Sequence, residues 1–278
     1  MPELPEVETV VRGLQALNLP GRRIQRVFLD TPAMVAPLTP GEFARRLRQR
    51  RIEAVTRRAK YIVIRLSGGL TLLAHLRMTG QLAALPAGAP RDRHQHLILH
   101  LDRGLDLRYR DTRKFGRWLL TASPERVLAR LGLEPLSPDF TTAWLRGRLR
   151  QAARRLKPLL LDQHFLAGLG NIYADESLWA ARLGPLRRAD SLTAREALNL
   201  HHAIRRVLAG GIRHGGTTLG AGLGNFKEPS GRHGGHQRWL RVFQRAGQPC
   251  RRCGAKIQRL VVAQRGAHIC PVCQNGNR

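Results

Sequence analysis

Four cysteines, Cys250, Cys253, Cys270 and Cys273, form two Cys-x-x-Cys pairs near the C-terminus. Each pair makes a tight knuckle that points two thiolates at one ion, and together they suit tetrahedral zinc. A redox Cys-x-x-Cys belongs in a βαβ context, which is absent here, so one structural Zn2+ with all four positions closed by sulfur is expected. The ion would replace a core that so short a segment lacks, and would fix the neighbouring Arg251, Arg252, Arg259 and Arg265 in space.

A second signal is the run Gly168 to Glu176, a glycine turn feeding directly into a helix, whose first free amides make an anion cradle. Asn171 is placed to cap that helix and touch a phosphate. The preceding basic stretch, with Arg146, Arg148, Arg150, Arg154, Arg155 and Lys157, points the same way. Lysine is scarce: only Lys60, Lys114, Lys157, Lys227 and Lys256 occur. An amine can lose its proton near neutrality where a guanidinium cannot, which makes Lys60, at the head of the apolar run Tyr61 to Ile64, a candidate for chemistry. At the other end, removal of Met1 would give Pro2 a free secondary amine beside Glu3 and Glu6. A terminal amine with an unperturbed pKa of ~8 is partly neutral and nucleophilic at physiological pH. Proline is also simply tolerated at a helix start, and these residues alone leave both readings open.

The elements that must position these groups can be read from periodicity. Leu4, Val7, Val10, Val11, Leu14 and Leu17 recur at helical spacing, with Glu3, Glu6 and Glu8 in the first turns, where the helix dipole favours negative charge. Residues 52 to 121 carry β-rich runs at Tyr61 to Leu66, Leu70 to Leu76, His96 to Leu101 and Leu105 to Arg110, broken by Ser67-Gly68-Gly69 and Asp102-Arg103-Gly104, which predicts a sandwich or barrel. Helices are expected over Thr141 to Leu156, Lys157 to Leu166, Ile172 to Arg182 and Leu192 to Ala209, the last opened by a Thr193–Glu196 capping box and ended by Gly210-Gly211. Residues 210 to 235 show no period and predict a long, functional loop.

Lys and Arg total 48 against 19 Asp and Glu, a formal net charge of +29. A magnitude of ~2 to 8 suffices for solubility, so a surplus this large calls for a polyanion. An anionic membrane would want an amphipathic basic helix, a lipidation signal or a span of about 18 apolar residues. None is present, and the acidic start MPELPEVETV is no signal peptide. A cytoplasmic, nucleic-acid-binding protein is expected.

MPELPEVET at Met1 to Thr9, GLGNIYADES from Gly168, and the four-cysteine finger together resemble the formamidopyrimidine-DNA glycosylase family. So do RRAKY at Arg57 to Tyr61, HLRMTG at His75 to Gly80, DTRKFG at Asp111 to Gly116, KPLLLDQ at Lys157 to Gln163 and AQRG at Ala263 to Gly266. The resemblance spans essentially the whole chain. It implies an α+β fold: an N-terminal helix and β-sandwich domain over 1–134, a helix-two-turns-helix domain with a lesion-capping loop over 135–235, and a zinc ribbon over 236–278. It further implies a bacterial base excision repair enzyme, a DNA glycosylase and abasic-site lyase. The partner would be damaged double-stranded DNA lying between the halves, and the enzyme would need no nucleotide cofactor and work as a monomer on nucleoid DNA. Pro2 would attack C1′, Glu3 serve as acid and base, Glu6 line the pocket, Lys60 contact phosphate and donate a proton, and Arg265 assist the second elimination. Met78, Arg113 and Phe115 would fill the void left by a flipped base. His94, Arg113 and Asn171 would contact DNA, as would Lys157 in KPLLLDQ; the family's basic residue just before that segment falls on Ala152, and Arg150 or Arg154 would substitute. Two departures bear on the lesion. The loop reads Gly216-Thr217-Thr218-Leu219-Gly220-Ala221-Gly222 where the family continues with a basic residue, an acid and an aromatic. Val242-Phe243-Gln244-Arg245 leans toward the endonuclease VIII branch, which prefers oxidised pyrimidines. Oxidised purines are the first expectation, oxidised pyrimidines the second, and an inactive DNA-binding relative the third.

Overall fold

The computed structural model describes residues 1–220 and 226–274, and they fall into two units. The first unit comprises 1–129 and 212–237, the second 130–211 and 238–278.

In the first unit, helix α1 (Leu4–Ala16) buries Leu4, Val7, Val10, Val11 and Leu14, the face that the spacing predicts. Strand β1 (Ile24–Leu29) and helix α2 (Pro40–Leu47) follow, then β2 (Ile52–Arg58), β3 (Tyr61–Leu66), β4 (Leu70–His75), β5 (Gln81–Pro86), β6 (Gln95–Leu101), β7 (Leu105–Arg110) and β8 (Arg117–Thr121). They make two antiparallel four-stranded sheets, ordered β1-β6-β7-β5 and β2-β3-β4-β8. Alternate residues such as Ile62, Ile64, Leu72, Leu97, Leu99 and Leu107 belong to one buried core, to which α1 adds its apolar face. Tyr109 of β7 meets Trp118 of β8 edge to face, ring centres 5.3 Å apart, joining the sheets.

The described part of 212–237 folds with this unit. Phe226 joins the core, the Ala84 N–H donates to the Pro229 carbonyl at 3.2 Å, and Pro229 lies against Gly13 of α1 so closely that a Cβ there would meet its Cδ at 2.7 Å. This division therefore differs from the expected boundaries, which put the loop with the helical domain. Ala221 and Gly222 of the expected capping loop lie outside the described residues.

The second unit is helical, apart from the ribbon. A short helix α3 (Glu125–Leu128) precedes it, and it contains α4 (Thr142–Arg150), α5 (Leu156–Leu161), α6 (Asn171–Ala181), most of α7 (Ala194–Arg213) and the hairpin β9 (Gln258–Val262) and β10 (Arg265–Ile269). The helix expected over Thr141 to Leu156 breaks after Arg150, because Arg155 bridges Arg188 and the Ala189 N–H donates to the Arg154 carbonyl at 2.9 Å. That pairing overrides local helix propensity. The next helix ends at Leu161 rather than Leu166, where the Asp162 carboxylate takes the His164 N–H at 2.9 Å. Helix α7 opens on the expected capping box, the Glu196 N–H on Thr193 Oγ1 and the Thr193 N–H on Glu196 Oε2. It then runs through Gly210-Gly211 to Arg213 and stops before Gly215, whose φ of +70° is left-handed. No helix among the described residues is long and apolar enough to cross a membrane.

Gly116 admits no side chain, since a Cβ there would fall 1.7 Å from the Tyr109 hydroxyl, whereas Gly41 faces open space. Gly116→Ala is expected to lower unfolding stability by about 1–3 kcal/mol through overpacking, with Gly41→Ala having far less effect, both read as denaturant midpoints.

Candidate active site and zinc ribbon

In the first unit the start of α1 is sealed: Pro2 is buried, while Met1 ahead of it is exposed. The Glu3 N–H donates to Glu6 Oε2 at 2.9 Å, in the manner of a capping box. The other Glu6 oxygen accepts the Thr217 N–H at 2.7 Å. Glu3 and Glu6 are each only 2% exposed. One carboxylate therefore joins the first turn of the chain to the Gly216-Thr217 segment. Thr218 secures that segment, its Oγ1 donating to the Phe226 carbonyl at 2.7 Å and accepting the Gly234 N–H at 2.9 Å. In the sequence Thr217 and Thr218 stand out only as part of the loop run; the Glu6 contact picks out Thr217, and the bonds to Phe226 and Gly234 pick out Thr218.

Lys60 sits in the two-residue turn between β2 and β3, buried at 5% exposure. His75, at the end of β4, pairs with Tyr61 across the sheet and stands edge-on to its ring, centres 4.9 Å apart. Burial, with the nearby charges of Arg77 and Lys60, pushes the His75 imidazole down to about 3. Its Nδ1 accepts the Arg77 N–H at 3.0 Å, so a neutral ring carries its proton on Nε2. Reading by motif left His75 without a role; its sequence signal was its place at the head of HLRMTG.

Met78, Arg113 and Phe115 come together on two neighbouring turns. Arg113 reaches the Met78 sulfur at 3.1 Å and lies over the Phe115 ring at 4.6 Å, while Met78 and Phe115 remain exposed. Asp111, fully buried, organises both turns. Its Oδ1 accepts Thr79 Oγ1–H at 2.5 Å and the Arg113 N–H at 3.2 Å; its Oδ2 accepts the Gly116 N–H at 2.8 Å and the Tyr109 hydroxyl at 3.1 Å. The Asp111 N–H in turn holds the carbonyl of His94, which is half-buried.

In the second unit, Lys157 proves to be no surface cation: it is 0% exposed, its amine donating to Asp175 Oδ1 at 2.6 Å and to the Gly266 carbonyl at 2.7 Å. Asn171 is the first residue of α6 rather than its cap, which is Gly170. Its Nδ2 donates to the same Gly266 carbonyl at 3.0 Å. Asp175 Oδ2 takes the His268 N–H at 2.9 Å. These contacts fix β10, whose first residue, the exposed Arg265, follows a turn with Ala263 and Gln264 both left-handed. Arg154 is exposed and paired with Asp162 at 2.6 Å.

The four cysteine sulfurs lie within 4.8 Å of one another and form no disulfide. Zn–S bonds of ~2.3 Å in tetrahedral array place sulfurs ~3.8 Å apart, and the observed 3.4, 3.5 and 3.9 Å separations fit that ion. Both knuckles repeat one turn, the Gly254 N–H on the Cys250 carbonyl and the Gln274 N–H on that of Cys270. Behind them Trp179, Val242 and Ile257 pack on Cys250 and Cys270. Glu176 anchors the approach to the ribbon by accepting the Arg241, Val242 and Phe243 amides at 2.8 to 3.0 Å. Burial raises its carboxyl pKa although those amides oppose the rise.

Three family models match in order: the formamidopyrimidine-DNA glycosylase N-terminal domain over residues 1–118, its H2TH domain over 131–222, and a zinc finger found in FPG and IleRS over 247–276. The formamidopyrimidine-DNA glycosylase of Herpetosiphon aurantiacus is 50% identical over 277 residues, 99% of this chain and 100% of its own. The crystal structure of the MutM (Fpg) protein of Thermus thermophilus superposes with a TM-score of 0.88 at 42% identity, covering 99% of both chains. The Lactococcus lactis Fpg in complex with abasic-site DNA gives 0.90 at 35% identity, over 98% of this chain and 99% of that one. A mutant of that protein with Fapy-dG-containing DNA gives 0.91 at 36%, with the same coverage.

Two outcomes follow from this geometry. Because folding holds His75 neutral, the unfolded chain takes up a proton that the folded one refuses. Its contribution to stability is whole above 6.5 and is lost as pH falls from there toward about 3. Burial likewise lowers His236, to about 4. His75→Gln is expected to flatten part of the fall in thermal midpoint between pH 6.5 and 4; an unchanged slope would contradict the assignment. Metal analysis should find one zinc per chain, and Cys250→Ser or a chelator should raise amide exchange across 247–274 while sparing the sandwich.

Proposed function

Because the chain belongs to the formamidopyrimidine-DNA glycosylase family of DNA glycosylases and abasic-site lyases, we propose that it excises oxidised purines such as 8-oxoguanine and formamidopyrimidines from duplex DNA, then cleaves the strand by β,δ-elimination through a Schiff base on Pro2. The observation that carries this reading is the sealed first turn of α1, where Pro2 and Glu3 are held by the Glu6 carboxylate between the Glu3 and Thr217 amides. The purine assignment draws support from the relatives' name and from the Fapy-dG complex.

Once Met1 is removed, the Pro2 nitrogen lone pair attacks C1′, and the glycosidic electron pair leaves with the base, which takes up a proton. The attached Pro2 nitrogen gives up its proton, and its lone pair then breaks the C1′–O4′ bond while Glu3 protonates O4′, leaving an iminium between Pro2 and C1′. Loss of a C2′ proton expels the 3′ phosphate, a further deprotonation expels the 5′ phosphate, and water hydrolyses the iminium to free Pro2. Lys60, within Coulomb range of His75, contacts phosphate and supplies a proton, and Arg265 assists the second elimination. The target base must leave the stack before C1′ is reachable. Met78, Arg113 and Phe115, already gathered by Asp111, fill the gap. His94 contacts DNA and Asn171 a phosphate, and Arg154 supplies the charge that Ala152 lacks. Lys157 acts indirectly, by fixing the strand that begins at Arg265. The net charge of +29 provides salt-sensitive attraction to the duplex. Val242-Phe243-Gln244-Arg245 favours a second reading, endonuclease VIII-like excision of oxidised pyrimidines.

Borohydride trapping on duplexes carrying 8-oxoguanine opposite cytosine, an oxidised pyrimidine, or no lesion tests these readings. Trapping chiefly on 8-oxoguanine is expected, weakened or abolished by Pro2→Gly and, at the base-removal step, blocked by Glu3→Gln with DNA binding retained. Stronger reaction on the pyrimidine lesion would establish the second reading. Binding without any adduct would reduce the protein to a DNA-binding relative.

A further inference from the structure

The turn that carries Lys60 has an unusual construction. Arg58 pairs with Tyr61 across the β2–β3 ladder, leaving Ala59 and Lys60 as a two-residue loop. Ala59 has a φ of +52°, the left-handed region that residues with a Cβ rarely adopt. In two-residue hairpins with a positive φ at the first position, glycine ordinarily stands there. The peptide between the two loop residues is the one whose flip changes the turn type, and the Ala59 carbonyl marks its orientation.

That carbonyl is held. Arg57 Nη1 donates to Ala59 O at 3.1 Å, while Arg57 Nε donates to Glu8 Oε2 at 2.9 Å. Glu8 lies on α1, and its second oxygen is occupied by Arg12 Nε at 2.8 Å. Burial raises the Glu8 carboxyl, but the hydrogen bonds from Arg12 and Arg57 outweigh it and hold the group below its ordinary range, so the acceptor stays ionised. A planar guanidinium with donors in a fixed fork can serve both partners at once. A lysine, with one nitrogen on a flexible stem, cannot bridge them in the same way.

We infer that Arg57 is a positioning residue for Lys60: by tying Glu8 of α1 to the Ala59 carbonyl, it locks the central peptide of the turn and so sets where the Lys60 amine stands relative to the start of α1. The inference rests on the role given to Lys60 above. Without Arg57 the strained turn relaxes and Lys60 moves out of its buried place, while the sandwich behind it keeps its core.

The scarcity of lysine makes this measurable without reference to activity. Acetylation by sulfosuccinimidyl acetate, followed by peptide mass spectrometry of the full-length zinc-loaded protein, reports on Lys60 with exposed Lys114 and Lys256 as references and fully buried Lys157 as a sentinel for general loosening. Arg57→Met is expected to raise Lys60 labelling about tenfold relative to the exposed lysines, as local opening becomes easier, with Lys157 unchanged. Arg57→Lys, which keeps the charge beside Glu8 but not the fork, is expected to do the same and stands in if the methionine variant does not fold. Cleavage of a preformed abasic duplex in single turnover should fall roughly tenfold or more, since small misplacements of a reacting group are costly. Unchanged Lys60 labelling, or labelling that rises equally at Lys157, overturns the positioning role. Labelling that rises selectively while cleavage stays at the wild-type rate upholds the positioning role and overturns instead the function assigned to Lys60.

Discussion

The first unit depends on one buried carboxylate. Glu6 joins the Glu3 amide, one turn back on the same helix, to the Thr217 amide, 211 residues away. A carboxyl so deeply placed is tolerable only when both oxygens are satisfied. Removing either partner would leave a buried oxygen without its hydrogen bond, so the helix start and the Gly216-Thr217 segment hold each other in place. The terminal residues of a chain are ordinarily its least ordered part. Here Pro2 is buried behind that pair of hydrogen bonds.

The same economy appears elsewhere, because acids are few in a chain with 48 basic residues. Asp111 gathers two turns and their exposed side chains through four hydrogen bonds. Asp175 fastens β10 through Lys157 and His268, and Glu176 collects three consecutive amides ahead of the ribbon. Each of these acids is nearly inaccessible. The interior thus uses carboxylates as acceptors for several donors at once.

Lys157 shows how a motif can identify a residue and mislead about its contact. In a basic stretch before a glycine turn, a lysine suggests a phosphate ligand. Its amine instead joins Asp175 to the Gly266 carbonyl inside the second unit. Half-buried Asn171 converges on the same carbonyl from the start of α6. Both residues hold the strand that begins at Arg265.

Local pattern was enough for much of this protein. The cysteine spacing determined the metal site, since each knuckle is built within four residues. Apolar periodicity determined α1, and β-rich runs between turn signals determined β3 and β7 to the residue. Strands β1 and β5 and helix α2 carried weaker patterns and appeared only with their partners. What the tertiary structure decided were contacts between residues with no local relation: Thr217 on Glu6, Arg57 between Glu8 and Ala59, Asp111 beneath both exposed turns, and the 154–155 segment drawn out of a helix by 188–189. Spacing along a chain specifies which backbone ladder forms, because those bonds are local or repeat with a fixed period. A buried charge chooses its partners from whatever the packed layers bring within hydrogen-bond reach, and that choice exists only once the layers have met.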